Sequence, residues 1–93
     1  MSPDVPDEAR PRLARGVRLR EDTARGCTVL LAPERVLRPS PTALAALGLC
    51  DGERTVAKIA DELALLYAAP RERIAADIRV LLADLAAQKV ITL

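Results

Sequence analysis

The spacing of apolar residues changes along the chain from a period of two to a helical period. Residues 17–21 alternate apolar and charged positions, as a half-buried strand does. Residues 27–32 are apolar on both faces, which is typical of a central strand, and residues 35–38 form a third short run. Pro33-Glu34 separates the last two runs, and proline favours the first central position of a tight turn. The pattern predicts a three-stranded antiparallel ribbon.

Three amphipathic helices are predicted after this ribbon. Ser40 followed by Pro41 is typical of a helix start, because the serine oxygen accepts an orphan amide and proline lacks one. Asp51-Gly52 ends this helix, Thr55 caps the second, and Pro70 opens the third. Apolar residues at helical spacing predict the buried faces of the second and third helices: Val56, Ile59, Ala60, Leu63, Ile74, Ile78, Leu81, Leu82 and Leu85. The predicted fold class is α+β, a winged helix-turn-helix in which the three-stranded antiparallel ribbon precedes the three helices.

The two ends of the pattern set the predicted domain limits. Residues 1–11 hold three Pro, three acidic residues and little to bury, which predicts a disordered tail or linker ahead of a domain over residues 12–93. The acidic start has no apolar core of the kind found in a signal peptide. The longest apolar run, residues 43–50, is far shorter than a membrane span. We therefore expect a cytoplasmic protein.

Composition argues against chemistry by this chain alone. It contains no His, Trp or Phe, two Ser and two Cys, so most general bases, nucleophiles and soft metal ligands are missing. Cys27 lies in the central strand and Cys50 at the end of an apolar helical stripe, where thiols usually pack in the core. A disulfide between them stays open at this stage. We expect no catalytic residue, no metal, no cofactor and no enzyme activity.

Positive charge is concentrated in the ribbon. Residues 10–38 carry eight Arg against three acidic residues, whereas the chain as a whole has a net charge of +1. Arg pairs with carboxylates in a bidentate manner, so an acidic peptide would suit this surface. A solvated strand face would explain the same Arg residues equally well.

Three motifs resemble the pyrroloquinoline quinone biosynthesis protein D family. They are the segments Gly16-Val17-Arg18-Leu19-Arg20, Gly26-Cys27-Thr28-Val29-Leu30-Leu31 with Pro33-Glu34, and Leu47-Gly48-Leu49-Cys50-Asp51-Gly52-Glu53-Arg54-Thr55-Val56. The resemblance extends from about Arg12 to the end of the chain. It implies a peptide chaperone that binds the ribosomally made precursor of the quinone and presents it to a radical S-adenosylmethionine enzyme.

The resemblance also implies where the peptide binds. The leader would add a strand to the third strand of the ribbon and lie against the third helix. In this sequence the implied contacts are Arg35, Val36, Leu37 and Arg38 on the strand and Ile74, Asp77, Ile78, Leu81 and Leu82 on the helix. Core packing is the competing interpretation for Leu37, Ile78 and Leu81. Pro39 lacks an amide proton, so the edge is expected to offer only about four residues.

The ribbon charge suggests a surface for the enzyme partner. Arg18, Arg20 and Arg25 belong to the basic part of the chain and leave the predicted peptide edge open. Charge at such a surface would act mainly on the encounter rate and its salt dependence.

A winged-helix regulator that binds DNA is the main alternative function. Its third helix would enter the major groove and would need a basic exposed face. Residues 71–89 hold four basic residues against three acidic ones, with only Gln88 suited to base edges. This near-neutral helix makes nucleic acid an improbable partner.

Overall fold

The computed structural model describes residues 5–93 and has the predicted α+β architecture. Its elements are β1 (Arg12–Leu13), β2 (Arg18–Asp22), β3 (Cys27–Ala32), β4 (Arg35–Leu37), α1 (Pro41–Gly48), α2 (Val56–Tyr67), α3 (Arg71–Ala87) and β5 (Ile91–Thr92). Strands β2, β3 and β4 form an antiparallel sheet with β3 in the centre. This confirms the predicted three-stranded ribbon followed by three helices.

Side chains near the helix starts explain where α1 and α2 begin. The Ser40 hydroxyl oxygen accepts a hydrogen bond from the Ala43 N–H at 3.2 Å, and the Thr55 hydroxyl oxygen accepts one from the Lys58 N–H at 3.1 Å. Pro70 precedes α3 without a side-chain cap. Helix α1 ends at Gly48, earlier than the predicted stop at 51–52, because the chain must turn before α2.

The loop between α1 and α2 is organised by Asp51. Its carboxylate accepts hydrogen bonds from the backbone N–H groups of Glu53 and Arg54, both at 2.9 Å. These backbone hydrogen bonds, that of Arg54 first, hold the pKa of Asp51 below its ordinary value. Gly52 adopts φ of +79°, a conformation that glycine reaches without strain. The Asp-Gly pair thus shapes the turn that orients α2.

The core lies between the inner face of the sheet and the three helices. Its largest fully buried side chains come from β3, α1, α2 and α3 and include Leu30, Leu47, Ile59, Leu63, Ile78 and Leu82. Each such side chain stabilises the fold by about 1.5–3 kcal/mol relative to an exposed position. Both thiols are free, with Cys27 half-buried and Cys50 buried, so they are not paired in a disulfide. None of the helices over residues 5–93 is both long and apolar enough to cross a membrane.

The segment 5–11 is docked on the domain, in contrast to the predicted disordered tail. Val5 is 4% exposed and belongs to the core cluster. The carbonyls of Asp7 and Ala9 accept hydrogen bonds from the Ala57 and Val56 N–H groups at 3.1 and 2.9 Å. These N–H groups lie in the first turn of α2 and have no partner within the helix. Residues 5–11 are therefore part of the folded unit, whose predicted start was residue 12, and residues 1–4 lie outside the described part of the chain.

Strand β1 continues this docking. It pairs with β5 in antiparallel register, Arg12 opposite Thr92, and the Pro11 carbonyl accepts a hydrogen bond from the Gly52 N–H at 3.0 Å. An ion pair between Asp7 and Arg79 joins the same segment to α3. The two ends of the described chain thus meet in a small second sheet.

Candidate functional site

Strand β4 lies at an edge of the three-stranded sheet. In an antiparallel pair, residues that exchange both backbone hydrogen bonds alternate with residues that exchange none. Ala32 and Arg35 flank a two-residue turn, and such a closing pair exchanges both bonds. Val36, the next residue, therefore directs its N–H and C=O away from β3. No other described strand pairs with this edge, so Val36 offers one backbone donor and one acceptor to an added strand.

Pro39 has less effect on this edge than the sequence suggests. The amides of successive strand residues point alternately toward and away from the neighbouring strand. Those of Arg35 and Leu37 point toward β3, and an amide at position 39 would do the same. Its missing N–H ends the β3–β4 ladder, which explains why β4 stops at Leu37 instead of the predicted Arg38. It removes no donor from the open side.

The side chains of β4 divide between two faces of the sheet. Val36 lies on the outer face, opposite Leu31, and is 60% exposed. Leu37 lies on the inner face, opposite Leu30, and is half-buried against the core. The sequence could not decide between core and contact for Leu37, and its half-buried position is compatible with both.

Arg35 joins β4 to the end of α3. Its guanidinium donates a hydrogen bond to the Gln88 carbonyl, which follows the last residue of the helix. A cation at this place is favourable because helix carbonyls at the C-terminus carry partial negative charge. The contact places the C-terminal end of α3 beside the start of β4, so edge and helix border one surface. Arg35 is thus engaged within the fold as well as being part of the predicted peptide edge.

Only part of the predicted helix wall is accessible. Ile74 and Leu81 are half-buried at the margin of the core, and Asp77 is exposed. Ile78 and Leu82 are 2% and 0% exposed, respectively, so both side chains lie in the core of this structure. The helical period identifies the apolar stripe but does not tell which part of the stripe the sheet covers. The accessible wall consists of Ile74, Asp77 and Leu81.

The three predicted enzyme-facing arginines are not equivalent. Arg18 and Arg20 are exposed on the outer face of β2, opposite Leu31 and Val29, and neither forms an ion pair with another described residue. Arg25 lies in the β2–β3 turn, where it contacts the Asp22 carboxylate at 3.9 Å. The positive charge of this surface is therefore carried mainly by β2.

Arg20 also borders a concavity that the sequence does not reveal. This concavity of about 350 Å³ lies on the outer face of the sheet. Its lining includes the Arg20, Val29, Leu31, Val36 and Arg38 side chains. The predicted enzyme surface and the predicted peptide edge therefore meet at one place.

Across residues 5–93, no group of three or more His, Cys, Asp or Glu side chains could hold a metal ion. Burial, together with the neighbouring negative charge of Asp51, raises the pKa of the Cys50 thiol to about 11. This thiol stays protonated at neutral pH and donates a hydrogen bond to the Ala46 carbonyl at 3.3 Å. An open strand edge beside a partly apolar helix suits an extended peptide.

Comparison with known proteins gives one consistent result. Residues 27–91 match the family described as coenzyme PQQ synthesis protein D. The PqqA binding protein of Bradyrhizobium diazoefficiens is 47% identical over 88 residues, which cover 95% of this chain and 85% of that protein. The bifunctional coenzyme PQQ synthesis protein C/D of Methylorubrum extorquens is 49% identical over 81 residues, which cover 87% of this chain but 22% of that longer protein.

A solved structure has the same fold as this chain. It is the solution NMR structure of the PqqD part of Methylobacterium extorquens PqqCD, described as a functional, stand-alone recognition element for ribosomally synthesized and post-translationally modified peptides. The superposition has a TM-score of 0.81 at 44% identity and covers 97% of this chain and 96% of that one.

Proposed function

Because the chain belongs to the coenzyme PQQ synthesis protein D family, we propose that it is a peptide chaperone of pyrroloquinoline quinone biosynthesis. In this proposal it binds the ribosomal precursor peptide and presents it to the radical S-adenosylmethionine enzyme of the pathway. The names of the relatives support the peptide ligand, since they are PqqA binding proteins and a peptide recognition element. A ribosomal precursor would meet the chaperone in the cytoplasm.

The observation that carries the binding mode is the open edge at Val36. A peptide strand laid against β4 would exchange backbone hydrogen bonds with Val36 and would run beside α3, which Arg35 joins to the strand. Arg35, Val36, Leu37 and Arg38 would flank the peptide on one side. Ile74, Asp77 and Leu81 would flank it on the other, supported from beneath by the buried side chains of Ile78 and Leu82.

Backbone pairing alone is too weak for this task. Each hydrogen bond contributes about 1 kcal/mol net, and β4 is three residues long. A micromolar complex needs about −8 kcal/mol, after the cost of association has been met. Several apolar side chains of the peptide must therefore dock as well, first of all between Leu37 and the half-buried residues of α3, where each can contribute about 1.5–3 kcal/mol.

The enzyme would approach the basic outer face of β2. Arg18 and Arg20 present unpaired charge there within the described structure, and Arg25 extends it toward the turn. A partner surface rich in carboxylates would gain association rate from this charge, with a clear dependence on salt.

The DNA-binding alternative finds no support. Helix α3 would have to present free positive charge to phosphates, yet Arg71 contacts Asp61 at 2.7 Å and Arg79 forms an ion pair with Asp7. The relatives are named for peptide binding.

Titration of the isotopically labelled chain with the precursor peptide tests the proposal. We expect a dissociation constant in the micromolar range or tighter, with the largest amide shifts over residues 35–38 and 74–82. Largest shifts over residues 18–22 would show that the peptide uses the other edge. Tight binding of duplex DNA with a steep salt dependence would favour the regulator instead.

A second titration tests the enzyme surface. Reversal of Arg18 and Arg20 to Glu should weaken binding of the radical enzyme. Each single reversal should weaken it in part, with Lys58→Glu on α2, which changes the net charge by the same amount as a single reversal, as the control. Enzyme binding should persist at saturating peptide, because presentation requires both partners at once. Displacement of the enzyme by peptide would contradict simultaneous presentation.

A further inference from the structure

On the outer face of the sheet, side chains of neighbouring strands form rows, and a strand added at β4 would lengthen these rows. The strand register aligns Arg18, Leu31 and Val36 in one row across β2, β3 and β4. The next row contains Arg20 and Val29, and one further step of the same register places Arg38 opposite Val29. A row of one arginine and two apolar residues therefore lies beside a row in which two arginines flank a valine.

The concavity at these rows has an apolar floor and a polar rim. Val29 is only 7% exposed although it faces away from the helices and lies outside the core cluster. Residues 20–24 of β2 and its turn line the concavity on one side, and Val36 and Arg38 line it on the other. Two acidic residues belong to that lining. Asp22 contacts Arg25 at 3.9 Å, and Glu21 alternates with Arg20 along β2, so its side chain belongs to the inner face. Arg20 and Arg38 form no ion pair with another described residue.

Strand geometry dictates what would lie over this concavity if a peptide pairs with β4. Successive side chains of a strand point to opposite faces, so every second residue of the peptide would point to the outer face. The peptide residue opposite Val36 would lie about 4.5–5.5 Å from it, measured between Cβ atoms. The residue two positions along would lie beside Arg38. The remaining residues would face α3.

From this geometry we propose that the outer concavity is a second side-chain subsite for the bound peptide, which accepts an aliphatic residue beside Val36 and a carboxylate beside Arg38. The proposal rests on strand addition at β4 as the proposed function. The aliphatic residue covers apolar surface of Val36 and Leu31, and the carboxylate pairs with a guanidinium that forms no ion pair with another described residue. Arg20 lies two strands farther from the peptide than Arg38, so it contributes mainly through longer-range electrostatic attraction.

Paired substitutions with matched controls test the subsite. Val36→Thr keeps the branched shape and should weaken binding of the precursor peptide about threefold to fivefold. Leu65→Thr is its control, since Leu65 is 84% exposed on α2, outside the proposed peptide contacts. Arg38→Gln should weaken binding about twofold to fivefold at low salt and less at high salt, with Lys58→Gln as the control for charge. Arg20→Gln should have a smaller effect than Arg38→Gln.

A scan of the acidic peptide residues identifies the partner of Arg38. One acidic residue replaced by its amide should weaken binding to the wild-type chain and have no further effect on the Arg38→Gln variant, which is the signature of direct coupling. Absence of coupling at every acidic position would overturn the carboxylate subsite. Equal peptide affinities of the Val36→Thr and Leu65→Thr variants would overturn the aliphatic subsite.

The chemical shift of the Val36 amide distinguishes failure of this proposal from failure of the proposed function. A peptide-induced shift of that amide, together with variants that match their controls, would leave strand addition in place and refute the subsite. No shift at Val36 would refute strand addition at β4 and the subsite with it. Weaker enzyme binding by Arg38→Gln with unchanged peptide affinity would assign the concavity to the enzyme and overturn the proposal.

Discussion

Replacement of Val5 by Ala tests the docked N-terminal segment most directly. Val5 is 4% exposed and packs in the core cluster, although it stands in a proline-rich acidic stretch. The substitution deletes two buried methyl groups and leaves a small cavity, which costs about 1.5–2.5 kcal/mol. For a domain of this size each kcal/mol lowers Tm by about 4–8 °C. We therefore expect Tm to fall by about 6–20 °C.

Thermal and urea unfolding, followed by circular dichroism, measure this effect. Val80→Ala is the matched control, because Val80 is 71% exposed and its replacement should change stability by no more than about 0.5 kcal/mol. The urea slope should be the same for both variants, since the unfolded surface hardly changes. Equal midpoints for Val5→Ala and Val80→Ala would show that the segment does not pack on the domain.

Three further predictions follow from the site and the loop. Leu37→Asp should weaken peptide binding more than Arg38→Ala, because a buried Leu contributes about 1.5–3 kcal/mol and an exposed ion pair about 0.2–1 kcal/mol. A melting curve accompanies the titration. If Leu37→Asp loses binding only because it unfolds, Leu37 is a core residue and not a peptide contact. Since the pKa of the Cys50 thiol is raised from 9.0 to about 11, its contribution to stability should be complete below pH 9 and decline as the pH rises toward 11, a decline that Cys50→Ser should lack in pH-dependent urea unfolding. The pKa of Asp51 is lowered from 3.8, so stability should decrease as the pH falls below that value, and Asp51→Ala should reduce this acid sensitivity.

The sequence predicts elements whose determinants are local. Ser40 and Thr55 cap helices by hydrogen bonds to residues three positions ahead, so a short window contains the whole signal. The central position of β3 also follows from its composition, because neighbouring strands at both edges shield the apolar side chains of a central strand. These features explain why the fold class and the order of elements could be predicted.

Features that depend on distant partners could not be read in this way. Strand β1 and the segment 5–11 dock through backbone carbonyls, the buried side chains of Val5 and Pro11 and the Asp7–Arg79 ion pair. The backbone carbonyls leave no trace in residue identity. The burial of Ile78 relative to Ile74 depends on how far the sheet covers α3. The outer concavity requires the register that places Arg20 opposite Val29. Family resemblance suggested the candidate site, whereas the burial of its residues depends on the three-dimensional structure.

The docked segment also determines how anything attached ahead of the domain is tethered. If residues 5–11 were loose, they would give an attached label or protein up to about 25 Å of additional reach at about 3.5 Å per residue. Their hydrogen bonds to the first turn of α2 and the ion pair with α3 remove that freedom. A fluorophore attached at the exposed Glu8 would therefore report a nearly fixed position, and distances measured from it would reflect the orientation of the domain rather than the motion of a flexible linker.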